Sequence, residues 1–110
     1  MGSFVKGDVV VIPFPFTDLT GSKKRPAFVL ADLLGDDIIV FQITSKSKAD
    51  PFALSIEASD FSTGGLPVDS FIRPNKIFTA DKNIILSVAG HLSESKISAA
   101  VNAVIKIVSS

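Results

Sequence analysis

The sequence predicts a mainly β protein, a small barrel or strongly bent sheet closed by one helix, and three observations carry that expectation. Short β-branched and aromatic runs recur with turn residues every ten or so positions. From Glu94 the apolar residues change from strand-like to helical spacing. A chain of 110 residues is long enough for one hydrophobic core and too short for two, so 1–110 is expected to be a single domain.

Asp8 to Phe16 reads as a buried first strand, because Val9, Val10, Val11 and Ile12 are continuous and β-branched, and Pro13 and Pro15 then break or edge it. Thr17 to Lys24 has the polar composition of an exposed loop, with Gly21 inside it. Ala27–Leu33 and Ile38–Ile43 flank the turn residues Gly35, Asp36 and Asp37, so they are expected to pair as an antiparallel hairpin. Thr44 to Pro51 is a second polar loop, and Phe52, Leu54 and Ile56 alternate in a short fourth strand. One helical turn is expected over Glu57–Phe61, then short strands over Ser70–Arg73, Lys76–Ala80 and Ile84–Val88. Ile97, Val101, Val104, Ile105 and Val108 form the stripe of a terminal amphipathic helix, with Ser93 as N-cap and Leu92 stapling onto Ile97.

Hydrophobic residues make up 46% of the chain, yet no run approaches the roughly 18 to 20 apolar residues of a membrane-spanning helix. No membrane partner is therefore expected, and without a leader-like start the default location is cytoplasmic. With no cysteine there is no disulfide, zinc ribbon or thiol nucleophile, and the single His makes most transition-metal sites improbable, so metal-free chemistry with no cofactor is favoured. Eleven basic residues balance eleven acidic ones, so no global field draws the protein to nucleic acid. Locally, Lys23, Lys24, Arg25, Lys46, Lys48, Arg73 and Lys76 fall in three short segments, which form one basic patch if folding gathers them and solvated loop cations otherwise.

Three features remain: a Pro-Phe-Pro-Phe stretch, a basic loop ending in Arg25-Pro26, and Thr44-Ser45 at the end of a buried strand. Gly7-Asp8-Val9-Val10 leading to Pro13-Phe14-Pro15-Phe16-Thr17-Asp18, then Gly21-Ser22 and Arg25-Pro26-Ala27-Phe28-Val29-Leu30, resembles the MazF/PemK family of ribonuclease toxins. Ile43-Thr44-Ser45-Lys46 resembles its second motif, and Gly65 to Pro74 with Phe78-Thr79 its third.

The resemblance implies an SH3-like β-barrel of the CcdB/MazF toxin type that forms a homodimer, binds single-stranded mRNA along the dimer groove and is silenced by a cognate antitoxin. Any association with DNA would be indirect, through that antitoxin. It also implies metal-independent, sequence-selective cleavage by internal 2′-hydroxyl attack, leaving a 2′,3′-cyclic phosphate and a 5′-hydroxyl.

That reaction requires a proton acceptor, a group to hold charge on the five-coordinate phosphorus, and a proton donor to the leaving oxygen. Arg25 suits the second task, because its guanidinium is permanently charged and its fork of donors matches two phosphate oxygens. By the family motif Thr44 orients the phosphate, with Ser45 and Ser22 as neighbours of the same kind, while Lys23, Lys24, Lys46 and Arg73 track the RNA backbone. Asp18 is the candidate general base, though nothing in its sequence context fixes that role.

Simpler readings stand beside each of these. Arg25 would otherwise form a surface ion pair with Asp18 or Asp32, Thr44 would satisfy backbone at a strand end, His91 reads as structural or surface, and Phe14 and Phe16 either stack on bases or pack. Asn75 stands where some relatives carry an acid, which keeps open a non-catalytic RNA- or antitoxin-binding role. A gyrase-poison role fits poorly, since the chain has no Trp.

Overall fold

The computed structural model describes residues 4–14, 23–46 and 50–110. Among the described residues seven strands and one α-helix follow in chain order: β1 (Asp8–Phe14), β2 (Lys23–Asp32), β3 (Asp37–Thr44), β4 (Leu54–Ile56), β5 (Phe61–Gly64), β6 (Ser70–Asp81), β7 (Ser87–Leu92) and α1 (Glu94–Ser109). They form one antiparallel sheet in the order β4-β6-β3-β2-β1-β7-β5, curled into a half-barrel. The mainly β expectation, with its terminal helix, holds.

Both sides of the central strands are buried, which explains the unbroken apolar run of β1. Val9, Phe28, Phe41, Ile43 and Ile72 pack on one side with Leu92 and with Ile97 and Ala100 of α1. Val10, Ile12, Ala27, Val29, Ile38 and Val40 pack on the other. A strand dry on both faces needs hydrophobic residues at every position rather than at alternate ones. Phe28 and Phe41, opposite each other on β2 and β3, stack with ring centroids 5.3 Å apart.

The curl has local causes. Leu30 is an extra residue between the Val29–Val40 and Ala31–Ile39 pairs, and Pro74, Asn75 and Lys76 are extra between the Gln42–Arg73 and Phe41–Ile77 pairs. Such bulges bend a strand and increase its twist. Pro74 supplies no ladder N–H, so the strand bows out there and continues.

Several boundaries differ from the sequence expectation. Lys23 and Lys24 are strand residues, because β1 holds them in register through Pro13–Lys24 and Phe14–Lys23 pairs. The expected strands at Ser70–Arg73 and Lys76–Ala80 are one strand carrying the bulge. The expected strand Ile84–Val88 is divided between a 3-10 turn at Lys82–Ile84 and the start of β7. The turn expected at Glu57–Phe61 is a 3-10 turn over Ala58–Asp60, and β5 follows it. Phe16 and the rest of 15–22 lie outside the described residues.

Helix α1 starts as expected, with the Ser93 hydroxyl accepting from the Lys96 amide at 3.4 Å. Its apolar stripe is buried only at the beginning: Ile105 is 53% and Val108 73% exposed. At about 1.5 Å per residue the helix outruns the sheet that covers its first turns. Gly7, at φ 101°, joins helix to sheet, since a Cβ there would collide with Ile97. Among the described residues no helix is long and apolar enough to cross a membrane.

Candidate functional site

The sheet brings the start of β2 and the end of β3 side by side. Arg25 pairs with Ile12 of β1, and Ala27 pairs with Gln42 of β3. Carrying that second register two residues further sets Arg25 abreast of Thr44, which itself faces Phe71 of β6. Side chains alternate along a strand, so Arg25 shares the side of Ala27 and Val29, and Thr44 the same side through Val40 and Ile38. The two leading sequence candidates are therefore neighbours on one side of adjacent strands.

Thr44 is 7% exposed, and its Oγ1 accepts the Lys46 amide at 3.2 Å. The backbone-satisfying role is thus present, and it pins the oxygen while leaving the hydroxyl proton to donate. Arg25 is half-buried. One of its alternative partners, Asp32, is engaged elsewhere: Lys82 Nζ lies 2.6 Å away and the Leu34 amide donates to it at 3.0 Å. Lys82 and the Leu34 amide hold the Asp32 carboxyl below its ordinary pKa, against the opposing pull of burial. Asp18 and Ser22, the other alternative partner and a candidate hydroxyl, lie outside the described residues.

Lys23, Lys24, Ser45 and Lys46 are exposed around this end of the sheet. Arg73 is also brought near, through its pair with Gln42, but its Nε is bound to Asp50 Oδ2 at 2.9 Å. It anchors the end of the β3–β4 loop, and only its remaining donors face other partners. Asn75 hydrogen-bonds the same Asp50 carboxylate. His91 is remote in register, at the Asp8 end of β1, where its Nδ1 lies 2.8 Å from Asp8 Oδ1. Its structural reading stands.

Behind Arg25, on the Lys24 side of β2, lies a pocket of about 290 Å³. Val11, Pro26, Ile43 and Leu66 give it apolar walls, and Lys24, Ser45 and Ser70 bring polar groups to it. Sequence reasoning missed this pocket and Asp50. The available signals were an apolar Leu66-Pro67-Val68 run following two glycines, and an aspartate two residues before Phe52, whose amide it accepts at 2.9 Å.

A family model described as "PemK-like, MazF-like toxin of type II toxin-antitoxin system" matches residues 5–108. The chain belongs to this toxin family. The toxin's fold matches solved structures at low identity. MazF (Form-I) from Deinococcus radiodurans superposes with a TM-score of 0.78 at 16% identity, covering 100% of each chain. An endoribonuclease from Mycobacterial species, solved with its cognate antitoxin, gives 0.77 at 14%, covering 97% of this toxin and 96% of that chain. The Mycobacterium tuberculosis toxin MazF-mt6 gives 0.74 at 16%, covering 93% and 96%. Among curated proteins none matches the toxin by sequence.

Proposed function

We propose that this toxin is a metal-independent, sequence-selective endoribonuclease acting on single-stranded mRNA in the cytoplasm. The observation that supports the reading is the β2–β3 register, which carried two residues past the Ala27–Gln42 pair sets Arg25 abreast of Thr44, with Lys23, Lys24 and Lys46 exposed at the same strand ends. Family membership and the likeness to structures described as endoribonucleases support it.

In this reading the ribose 2′-oxygen attacks the adjacent phosphorus and the bond to the 5′-oxygen breaks, giving a 2′,3′-cyclic phosphate and a free 5′-hydroxyl. Arg25 holds the charge that accumulates on the phosphoryl oxygens. Thr44 donates its hydroxyl proton to one of those oxygens, and Ser22 and Ser45 assist. Asp18 is the proposed acceptor of the 2′-hydroxyl proton, and the leaving 5′-oxygen takes a proton from solvent water to become the free 5′-hydroxyl. The proposal includes a homodimer with RNA in its groove, an antitoxin that covers the groove, and DNA association only through that antitoxin. Relatives solved with their antitoxins support the partner assignment.

Arg25→Ala should leave the fold intact and lower cleavage by about 100-fold or more, the scale of losing one preorganised donor. The measurement is mapping of RNA ends after incubation with each protein in the presence of EDTA. Undiminished cleavage by the variant would remove Arg25 from the mechanism. A second reading, a non-catalytic RNA- or antitoxin-binding member, is favoured by the Thr44 oxygen already serving backbone and by Asn75 replacing an acid. RNA binding without cyclic ends from any sequence in a random pool selects that reading instead.

A further inference from the structure

The mechanism above assigns no occupant to the 290 Å³ pocket on the Lys24 side of β2, although Arg25 and Ser45 line it. We infer that it receives one unstacked base of the bound RNA and sets the sequence preference at that position; this rests on the proposed RNA-cleaving function.

Four properties favour a base as occupant. The volume accommodates a flat heterocycle, and the walls from Val11, Pro26, Ile43 and Leu66 are apolar, as a ring face requires. Val68, itself 56% exposed, stands at the pocket on the loop before β6, where an inserted ring would cover it. The surroundings are cationic, with Lys23, Lys24 and Lys46 exposed at the adjoining strand ends, which suits the phosphates attached to such a base rather than a neutral ligand. Finally, because consecutive strand residues face opposite sides, a nucleotide crossing the ends of β2 and β3 would set its phosphate against Arg25 and its base beside Lys24.

The polar groups also imply which edge is read. Lys24 has only donors, and the exposed Ser45 hydroxyl donates or accepts. Ser70 is 3% exposed and its hydroxyl proton is spent on the Val68 carbonyl at 3.0 Å, so it offers acceptor capacity alone. An ammonium at the mouth favours a base with a ring carbonyl over adenine, which has none; uracil, cytosine and guanine all meet this condition.

Two variants and two readouts test the inference. Lys24→Met removes the donor without touching the walls, and Val68→Trp fills the space from the loop. End mapping on a random RNA pool should show wild-type preference against adenine at one motif position, relaxed by about 10-fold in Lys24→Met, the scale of one lost hydrogen bond. Preferences at the other positions should persist. Oligodeoxyuridylate and oligodeoxyadenylate, which lack the attacking 2′-hydroxyl, are then compared by fluorescence anisotropy. Wild type should bind the uridylate about 10-fold tighter, and both variants should bring the ratio towards one.

Because the second readout needs no cleavage, a toxin that cuts nothing can still confirm the pocket, and one that cuts with an unchanged motif in both variants refutes it. An unchanged binding ratio in both variants also overturns the inference. So does a Val68→Trp toxin that keeps its RNA preference but loses affinity for an antitoxin tail peptide, which would give the pocket to a protein side chain.

Discussion

Asp50 accepts from three directions: the Phe52 amide at 2.9 Å, the Arg73 Nε at 2.9 Å, and the Asn75 side chain. The Phe52 amide does most to hold the carboxyl below its ordinary pKa, burial opposes it, and Arg73 and Asn75 add to the lowering. A carboxyl depressed in the folded state binds protons more readily when unfolded. Its stabilisation is therefore present above the ordinary value of 3.8 and disappears as pH falls below it. Asp50→Asn should lower Tm at pH 7, and the gap to wild type should close as the pH is taken below 3.8 in paired melting curves. A gap independent of pH would mean that shape, not charge, matters at this position. None of this was legible in the sequence, where Asp50 is one polar residue in a polar loop and Arg73 reads as a free cation. The contact joins residues 23 positions apart across a loop, and no local pattern encodes it.

At the scale of elements, the β2–β3 connection shows how a legible turn differs in detail from its expected form. Gly35, Asp36 and Asp37 mark the turn, but the left-handed residue is Leu34, at φ 59° and 94% exposed. Asp32 holds that conformation by accepting the Leu34 amide, while the Leu33 amide donates to the Asp37 carbonyl and closes the hairpin. A left-handed conformation costs an L-residue about 1 to 2 kcal/mol, and Asn tolerates it better than Leu. Leu34→Asn should raise Tm by about 4 °C or more, checked by thermal melting; a lower Tm would show that the exposed leucine packs in solution. Strands β1 to β3 and helix α1 were readable because each contains its own signal: an apolar run, a turn cluster, a cap and a helical period. Strand β5 was not, since Phe61-Ser62-Thr63-Gly64 is short and its place is fixed by β7. The unity of β6 was hidden by Pro74, which looks like a strand end and is a bulge.

Across the whole molecule, a formal charge of zero coexists with cations gathered at one end of β2 and β3. Binding to single-stranded nucleic acid should then respond to salt through a few local contacts. If Lys23, Lys24, Arg25 and Lys46 each neutralise one phosphate, log affinity should fall with log salt at a slope of about 3, from about 0.7 per contact. Lys46→Gln should reduce the slope by about 0.7 in anisotropy titrations against oligodeoxyuridylate. A slope near zero would argue against the patch. The resemblance singled out Arg25 and Thr44 by motif, and extending the β2–β3 register sets them on one side of adjacent strands, whereas the pocket beside Arg25 required the loop before β6, whose position depends on the fold as a whole. The strand order also has a consequence for synthesis. Arg25 and Thr44 lie on consecutive strands of the first half of the chain, while Ile97 and Ala100, which seal the core behind β2 and β3, come near its end. On the ribosome the site's strands emerge well before their seal, so a nascent toxin holds its candidate residues without the packing that fixes them, and rigidity arrives last.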